Sequence, residues 1–272
     1  MKTSITQDQI AKYREDGFLY FPQLLSPEEV SELKQAVIDT AKSLGKKKVA
    51  GGAMDELEDN DDYGSKVFTQ RLNLYKINDT IRSHMLNPKL GEMMCKLSGV
   101  DGLRVWHDQA LIKEPYGNPT AWHLDTPYWS FFSPHALSVW IALEDATYQN
   151  GCMYFVPGTH KLATSDNVGI GPELGALFKV YPKMGEIDPV AVPMKAGDCS
   201  FHNGICAHGA GANMTRGRRI AMTCAYMPVG STFNGQRNIL PKDYFESLKV
   251  GDSMDNDEQN PLVYSSKELV AA

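Results

Sequence analysis

Between residues 104 and 228 the chain is a succession of short apolar runs, and this pattern limits its folding options more than any other feature. The runs are RVWHDQALIK (104–113), ALSVWIAL (136–143), CMYFVP (152–157), DCSFHN (198–203) and RRIAMTCAYMP (218–228), separated by PYGNP, QNG, PGTH and KAGD. Each run is β-like in character. Gly, Pro and Asn between them supply turns. Many short strands with such punctuation close into a sandwich or barrel, so the expected class is mainly β with flanking helices. Two helices open the chain: Thr6-x-x-Gln9 resembles a capping box before QIAKYRED with Gly17 as a stop, and Ser26-Pro27-Glu28-Glu29 starts a second. GFLYFPQLL between them reads as a short strand, and another helix is expected at about 88–98. No repeat or low-complexity linker divides the sequence. A single domain, 1–272, is expected, with a helical part at about 1–100, a β core at about 101–228 and an irregular segment at 229–272. Residues 161–190 and 230–272 would be loops over the mouth of the barrel, and 46–66 another loop, whose acidic run at 55–62 is read as solvated.

Bulk properties remove several function classes. The net charge is −6, which argues against a nucleic-acid binder working through a basic surface. No apolar run approaches the roughly 18–20 residues of a membrane helix, and the polar start MKTSITQDQIAKYREDG lacks the apolar core of a signal peptide. The five cysteines (95, 152, 199, 206 and 224) form no CxxC pair, so reduced thiols in a cytoplasmic protein are expected rather than a disulfide framework.

Chemistry enters with PTAWHLDTPYW (119–129). On a strand, His123 and Asp125 would point to the same side. They form either one buried hydrogen-bonded pair or two ligands of a metal whose third ligand lies elsewhere. An iron(II) site needs two imidazoles and one carboxylate on one face of the metal, with open positions opposite. His84, His107, His135, His160, His202 and His208 are the remaining histidines. His208 stands out because CAHGAGANMTRGRRIAM follows an apolar strand and surrounds it with small residues, with His202 in SFHNG as its rival. Arg219 shares a strand face with Ala221, Thr223 and Ala225, a slot in which one guanidinium could grip a carboxylate with two parallel hydrogen bonds. On spacing alone it could equally be a surface arginine of the Arg216, Arg218, Arg219 cluster.

These segments together resemble the phytanoyl-CoA dioxygenase family, iron(II)- and 2-oxoglutarate-dependent oxygenases on a double-stranded β-helix (jelly-roll, cupin-like) core. The similarity rests on WHLD (122–125), VWIALEDATYQNGCMYFVPGTH (139–160), KAGDCSFHNGICAHGAG (195–211) and RGRRIAM (216–222), with DGFLYFPQLLSPEEVSELK before them. It runs from about residue 8 to about 228 in consistent order. The resemblance implies that His123, Asp125 and His208 bind Fe(II) and that Arg219 holds the distal carboxylate of the co-substrate 2-oxoglutarate. It also implies that Thr159 and Trp140 contact that co-substrate. Gln109, Asn73 and Arg71 are further candidates, the last two as residues of one strand face in TQRLNLY. The presence of Asp125 implies hydroxylation rather than halogenation, because related halogenases carry Ala or Gly there. Desaturation, epimerisation and ring formation on the same scaffold stay open, as does a cupin-like metalloprotein indifferent to Arg219, or a binding protein without catalysis. The partners implied are a small-molecule substrate and O2, with neither nucleic acid nor membrane. Trp122, Tyr128, Trp129 and Phe131 are candidates for an apolar substrate wall, and Lys113 and the 46–66 loop for substrate contact.

Overall fold

The computed structural model describes residues 1–50, 64–166 and 168–266; the acidic run at 55–62 lies outside the described residues. In chain order the elements are α1 (Gln7–Asp16), β1 (Phe18–Phe21), α2 (Pro27–Ser43), α3 (Gly64–Val67), β2 (Thr69–Leu72), α4 (Asp79–Met85), α5 (Pro88–Ser98), β3 (Gly102–Lys113), β4 (Thr120–His123), β5 (Leu137–Ala142), β6 (Met153–Phe155), α6 (Ala176–Val180), β7 (Val190–Val192), β8 (Cys199–Asn203), β9 (His208–Ala210), β10 (Arg219–Pro228), α7 (Lys242–Ser247) and β11 (Leu262–Ser265). The helices begin where their caps dictate. Thr6 and Gln9 form a reciprocal capping box, as do Ser26 and Glu29, which satisfies backbone N–H groups that the first helical turn leaves free. α1 ends at Gly17 with φ 81°, a left-handed conformation that glycine adopts without penalty.

The strands form two sheets, and the named strands pair antiparallel throughout. The larger has the order β1-β8-β5-β10-β3-β11, with β2 on the same edge of β3 further along; the smaller is β4-β9-β6-β7. This is the jelly-roll expected. The large sheet is covered on both faces, which is why its strands read as nearly unbroken apolar runs. Every residue of β10 is buried. Its Ile220, Met222, Cys224 and Tyr226 join a core shared with helical residues such as Leu33, Val37, Met85 and Met94. Ala221, with Trp140 and Ala142 of β5, instead packs against Met153 and Phe155 of the smaller sheet. The helices therefore close the outside of the large sheet, and its inner face is left for the space between the sheets.

The segment after 229, expected to be irregular, holds α7 and β11, and β11 adds to the edge of the large sheet by pairing with Gly102–Arg104 of β3. A four-residue strand whose partner lies about 160 positions earlier leaves no local signal to read. The 161–190 stretch likewise contains α6 and ends at the start of β7. α5 rests against β11 through Gly91, where an added Cβ would come within 2.7 Å of Tyr264 Cβ and 2.8 Å of Val263 Cγ1. Gly91→Ala is expected to cost about 1–3 kcal/mol through overpacking, read as a lower urea midpoint. An unchanged midpoint would show that β11 does not press on α5.

Candidate metal and co-substrate site

His123 ends β4 and His208 opens β9, and the two residues are paired across the smaller sheet. Their rings lie 4.1 Å apart, centroid to centroid. Each donates from Nδ1 to a backbone carbonyl two residues earlier, His123 to Ala121 at 2.8 Å and His208 to Cys206 at 2.9 Å. This fixes the tautomer and leaves both Nε2 lone pairs facing Asp125, whose Oδ1 is 3.6 Å from His123 Nε2 and 3.7 Å from His208 Nε2. One ligand atom from each of the three lies within 4.8 Å of the others, a spacing that can hold a metal ion.

Asp125 does not reach this position as the third residue of a strand, as the His-x-Asp argument supposed. β4 stops at His123, and Asp125 is in the right-handed helical region (φ −82°, ψ −54°) at the head of a 3-10 turn over Thr126–Tyr128. The backbone N–H groups of Asp125 and Thr126 both donate to the Gly204 carbonyl at 2.8 Å, which pins the turn to the loop after β8. Leu124 is thereby turned away into an apolar cluster with Val156 and Leu177. The other carboxylate oxygen is held from the large sheet: Oδ2 accepts from Ser138 Oγ and from His202 Nε2, each at 3.3 Å. The rival ligand His202 thus orients the carboxylate from its far side, and Ser138 is a contact that sequence reasoning missed.

Electrostatics suit a divalent cation. Burial pushes His123 and His208 down to about 4, so both are neutral ligands at pH 7. Burial would raise Asp125, but facing His208, the hydrogen bond from His202 and the nearby His202 and His123 outweigh it and hold the carboxyl well below the usual range. Two neutral imidazoles and one carboxylate are the donor set that non-haem iron(II) oxygenases use, and the site fits that ion.

The three ligands open onto a cavity of about 300 Å³ between the sheets. Arg219 lies on its wall, 1% exposed, which removes the surface-arginine reading. Its guanidinium sits 5.2 Å from the Trp140 ring, and Nη1 donates to Leu111 O at 3.3 Å. Its buried Nε has no hydrogen-bond partner. Burial lowers Arg219 only to about 10, so it stays cationic at pH 7. A buried cation with an unsatisfied donor is costly alone and suited to a carboxylate; 2-oxoglutarate fits this end of the cavity. Trp140 and Gln109 line the same space.

Three other candidates stand elsewhere. Gln70 and Leu72 of β2 face the cavity, so Arg71 does not; it is buried and donates to the Gln70 and Gly45 carbonyls. Asn73 lies beyond the end of β2 in a left-handed conformation (φ 59°) and caps a 3-10 turn whose Leu74 and Tyr75 N–H groups are held by Asp108. The shared strand face assumed for Arg71 and Asn73 therefore does not form, and Gln70, hydrogen-bonded to Gln109, was overlooked by one position. Thr159 is also off the cavity: its hydroxyl donates to Val156 O at 2.7 Å and accepts from Ala207 N at 2.9 Å, bracing the residue before His208. Lys113 pairs with Arg219 across β3 and β10, is fully buried and donates to Asn118 O, so it does not contact the cavity. Burial and then the Arg219 charge lower it to about 7. Of the four aromatic candidates Tyr128 and Trp129 line the cavity, whereas Trp122 packs on Phe178 and Phe131 on Trp106 and Trp129. Lys48, Ile170 and Ile239 come to the lining from the three expected loops.

The model of the family described as Phytanoyl-CoA dioxygenase (PhyH) matches residues 13–221. Dioxygenase lolE1 of Epichloe uncinata is 33% identical over 134 residues; the chain spans about half that relative's length, 49%, and the match takes up 49% of this chain. Among solved structures, the non-heme alpha ketoglutarate dependent carbocyclase SnoK from nogalamycin biosynthesis is similar at a TM-score of 0.79 and 28% identity, over 96% of this chain and 97% of that one. The epimerase SnoN, solved in complex with Fe3+, alpha ketoglutarate and nogalamycin RO, is similar at a TM-score of 0.73 and 26% identity, over 94% and 98%. Among the described residues no helix is long and apolar enough to cross a membrane.

Two outcomes follow for the metal-free and metal-loaded protein. His107, His123 and His208 are each lowered to about 4 from 6.5, chiefly by burial, so between those values the unfolded chain binds protons that the folded one does not. In that window the histidines are expected to make the metal-free protein less stable as pH drops, each by on the order of 1–3 kcal/mol, partly offset by Asp108, which burial raises to about 7; equal urea midpoints at pH 7 and 5 would contradict this. At Gly204 an added Cβ would lie 2.1 Å from Thr126 Oγ1. Gly204→Ala should displace the Asp125 turn and weaken iron(II) binding at least about tenfold in chelator competition, and wild-type affinity would show that the turn is not tightly held.

Proposed function

The chain belongs to the phytanoyl-CoA dioxygenase family of iron(II)- and 2-oxoglutarate-dependent oxygenases, and we propose that it hydroxylates an unactivated C–H bond of a small molecule. In this reading His123, Asp125 and His208 hold the iron, and Arg219 takes the distal carboxylate of 2-oxoglutarate. The observation that carries the assignment is the convergence of a three-ligand cluster and a buried guanidinium with an unpartnered Nε on one cavity. Iron(II), 2-oxoglutarate and dioxygen supply an oxidant for hydrogen removal, with release of succinate and carbon dioxide. The chain's own residues bind and orient. His202 and Ser138 keep the Asp125 carboxylate turned toward the imidazoles, Arg219 and Trp140 set the co-substrate's direction, and Tyr128 and Trp129 exclude water from the substrate side. Five buried free thiols accord with a reducing, cytoplasmic setting.

A second reading is favoured by the likeness to a carbocyclase and an epimerase at 28% and 26% identity. There the same hydrogen removal ends in ring closure or inversion without oxygen transfer. Incorporation of labelled oxygen from O2 into the product separates the two.

Anaerobic addition of iron(II) and then 2-oxoglutarate to metal-free protein is expected to produce a visible charge-transfer band. Arg219→Ala should require about 10–100-fold more 2-oxoglutarate for half the signal, the loss of a charge-assisted pair. An unaltered requirement would remove Arg219 from the co-substrate site, and absence of a band despite bound iron would remove 2-oxoglutarate from the function.

A further inference from the structure

Four imidazoles line the cavity, and three are tied to protein acceptors: His123 and His208 by backbone carbonyls, His202 by Asp125. The fourth, His107, is 3% exposed and no protein acceptor among the described residues holds it from the cavity side; its Nδ1 is enclosed, like that of His202, which leaves Nε2 as the nitrogen able to face the cavity.

Strand register shows where His107 stands. Across the large sheet, His107 of β3 is opposite Ala225 of β10, Ala225 is opposite Ser138 of β5, and Ser138 is opposite His202 of β8. Directly opposite residues share a face, so these four form one row on the inner face. Ser138 and His202 are the two residues that hold the Asp125 carboxylate. The row therefore begins beneath the metal ligands, and at about 4.8 Å per strand His107 lies about 10 Å from Ser138. Between them is only the Ala225 methyl, a low floor flanked by taller side chains. Arg219 lies six residues back along β10 from Ala225, so a dicarboxylate held between Arg219 and the metal extends along the strands away from His107. This end of the cavity is free for the substrate.

The walls there are flat and apolar. The His107 ring meets Trp129 edge-on, with centroids 6.1 Å apart at 86°, and Tyr128 and Ile239 complete the lining. We propose that His107 is a substrate-binding residue that hydrogen-bonds a hydroxyl or carbonyl oxygen on a flat, ring-containing apolar molecule lying over Ala225, with the reacting carbon toward the metal. The inference rests on the function proposed above and names its substrate class: a neutral ring system carrying an oxygen substituent about one bicyclic width from the carbon attacked. Burial lowers His107 to about 4, so at pH 7 the neutral ring offers one donor and one acceptor, enough for either kind of oxygen.

The test uses the protein loaded anaerobically with iron(II) and 2-oxoglutarate, with 1-indanol and indane as probes that differ only in the hydroxyl. Ligand-detected NMR titration should show 1-indanol binding about tenfold more tightly than indane to wild type, the worth of one hydrogen bond. His107→Phe should bind both about equally, and His107→Gln should recover most of the preference. Equal affinity of the two probes for wild type, failure of both to bind, or a preference that survives in His107→Phe would each overturn the proposal. The charge-transfer band of the same loaded samples keeps this outcome separate from the co-substrate assignment: a band in wild type and in both variants, without any probe preference, refutes the His107 role alone. No band in wild type refutes the function on which it rests.

Discussion

One carboxylate joins the two halves of the sandwich. Asp125 presents Oδ1 to His123 and His208 on the smaller sheet and Oδ2 to His202 and Ser138 on the larger. Its backbone is fixed by a third element, the loop carrying Gly204. In a low-dielectric interior such an anion needs partners on every side, because burial would otherwise protonate it. On the Oδ1 side the imidazoles do not supply one, since two neutral nitrogens and a carboxylate oxygen aim lone pairs at one point with no donor between them. A divalent cation satisfies all three groups at once, and the Nδ1–carbonyl hydrogen bonds already hold the rings in the required tautomer.

The inner face of the large sheet then divides the cavity into functions by register. The row through Gln109, Thr223, Trp140 and Ser200 is two residues along from the row through His107, Ala225, Ser138 and His202. Arg219 lies further along β10 in the same direction. Small residues at Ala221 and Ala225 leave depth where a molecule must enter, and large ones at Trp140 and Trp129 bound it. Because the outer face is sealed by helices, none of these strands can shift without uncovering the larger core, so the positions of the functional side chains inherit the rigidity of the fold.

Legibility in the sequence followed the range of the interactions. The capped helices were readable because Thr6 with Gln9, and Ser26 with Glu29, act within four residues. The long strands were readable because burial on two faces leaves unbroken apolar runs, as in β10. His123, Asp125 and His208 were identifiable as a set, yet the backbone that unites them was misjudged, since a 3-10 turn pinned by Gly204 replaces the expected strand alternation. Gln70 was missed and Arg71 chosen because the parity of a four-residue strand is set by its partner β3 rather than by its own pattern. Thr159 kept its place in the family's motif but spends its hydroxyl on Val156 and Ala207. β11 and the His107 row depend on pairings between distant segments, which no local window contains.

The central claim is that His123, Asp125 and His208 converge on one metal ion. X-ray absorption spectroscopy of the iron(II)-loaded protein tests it most directly, because multiple scattering counts imidazole ligands and the first shell reports sulfur. Two imidazoles with oxygen completing the shell are expected, falling to one in His208→Ala. A sulfur ligand, or two imidazoles persisting in His208→Ala, would contradict the account.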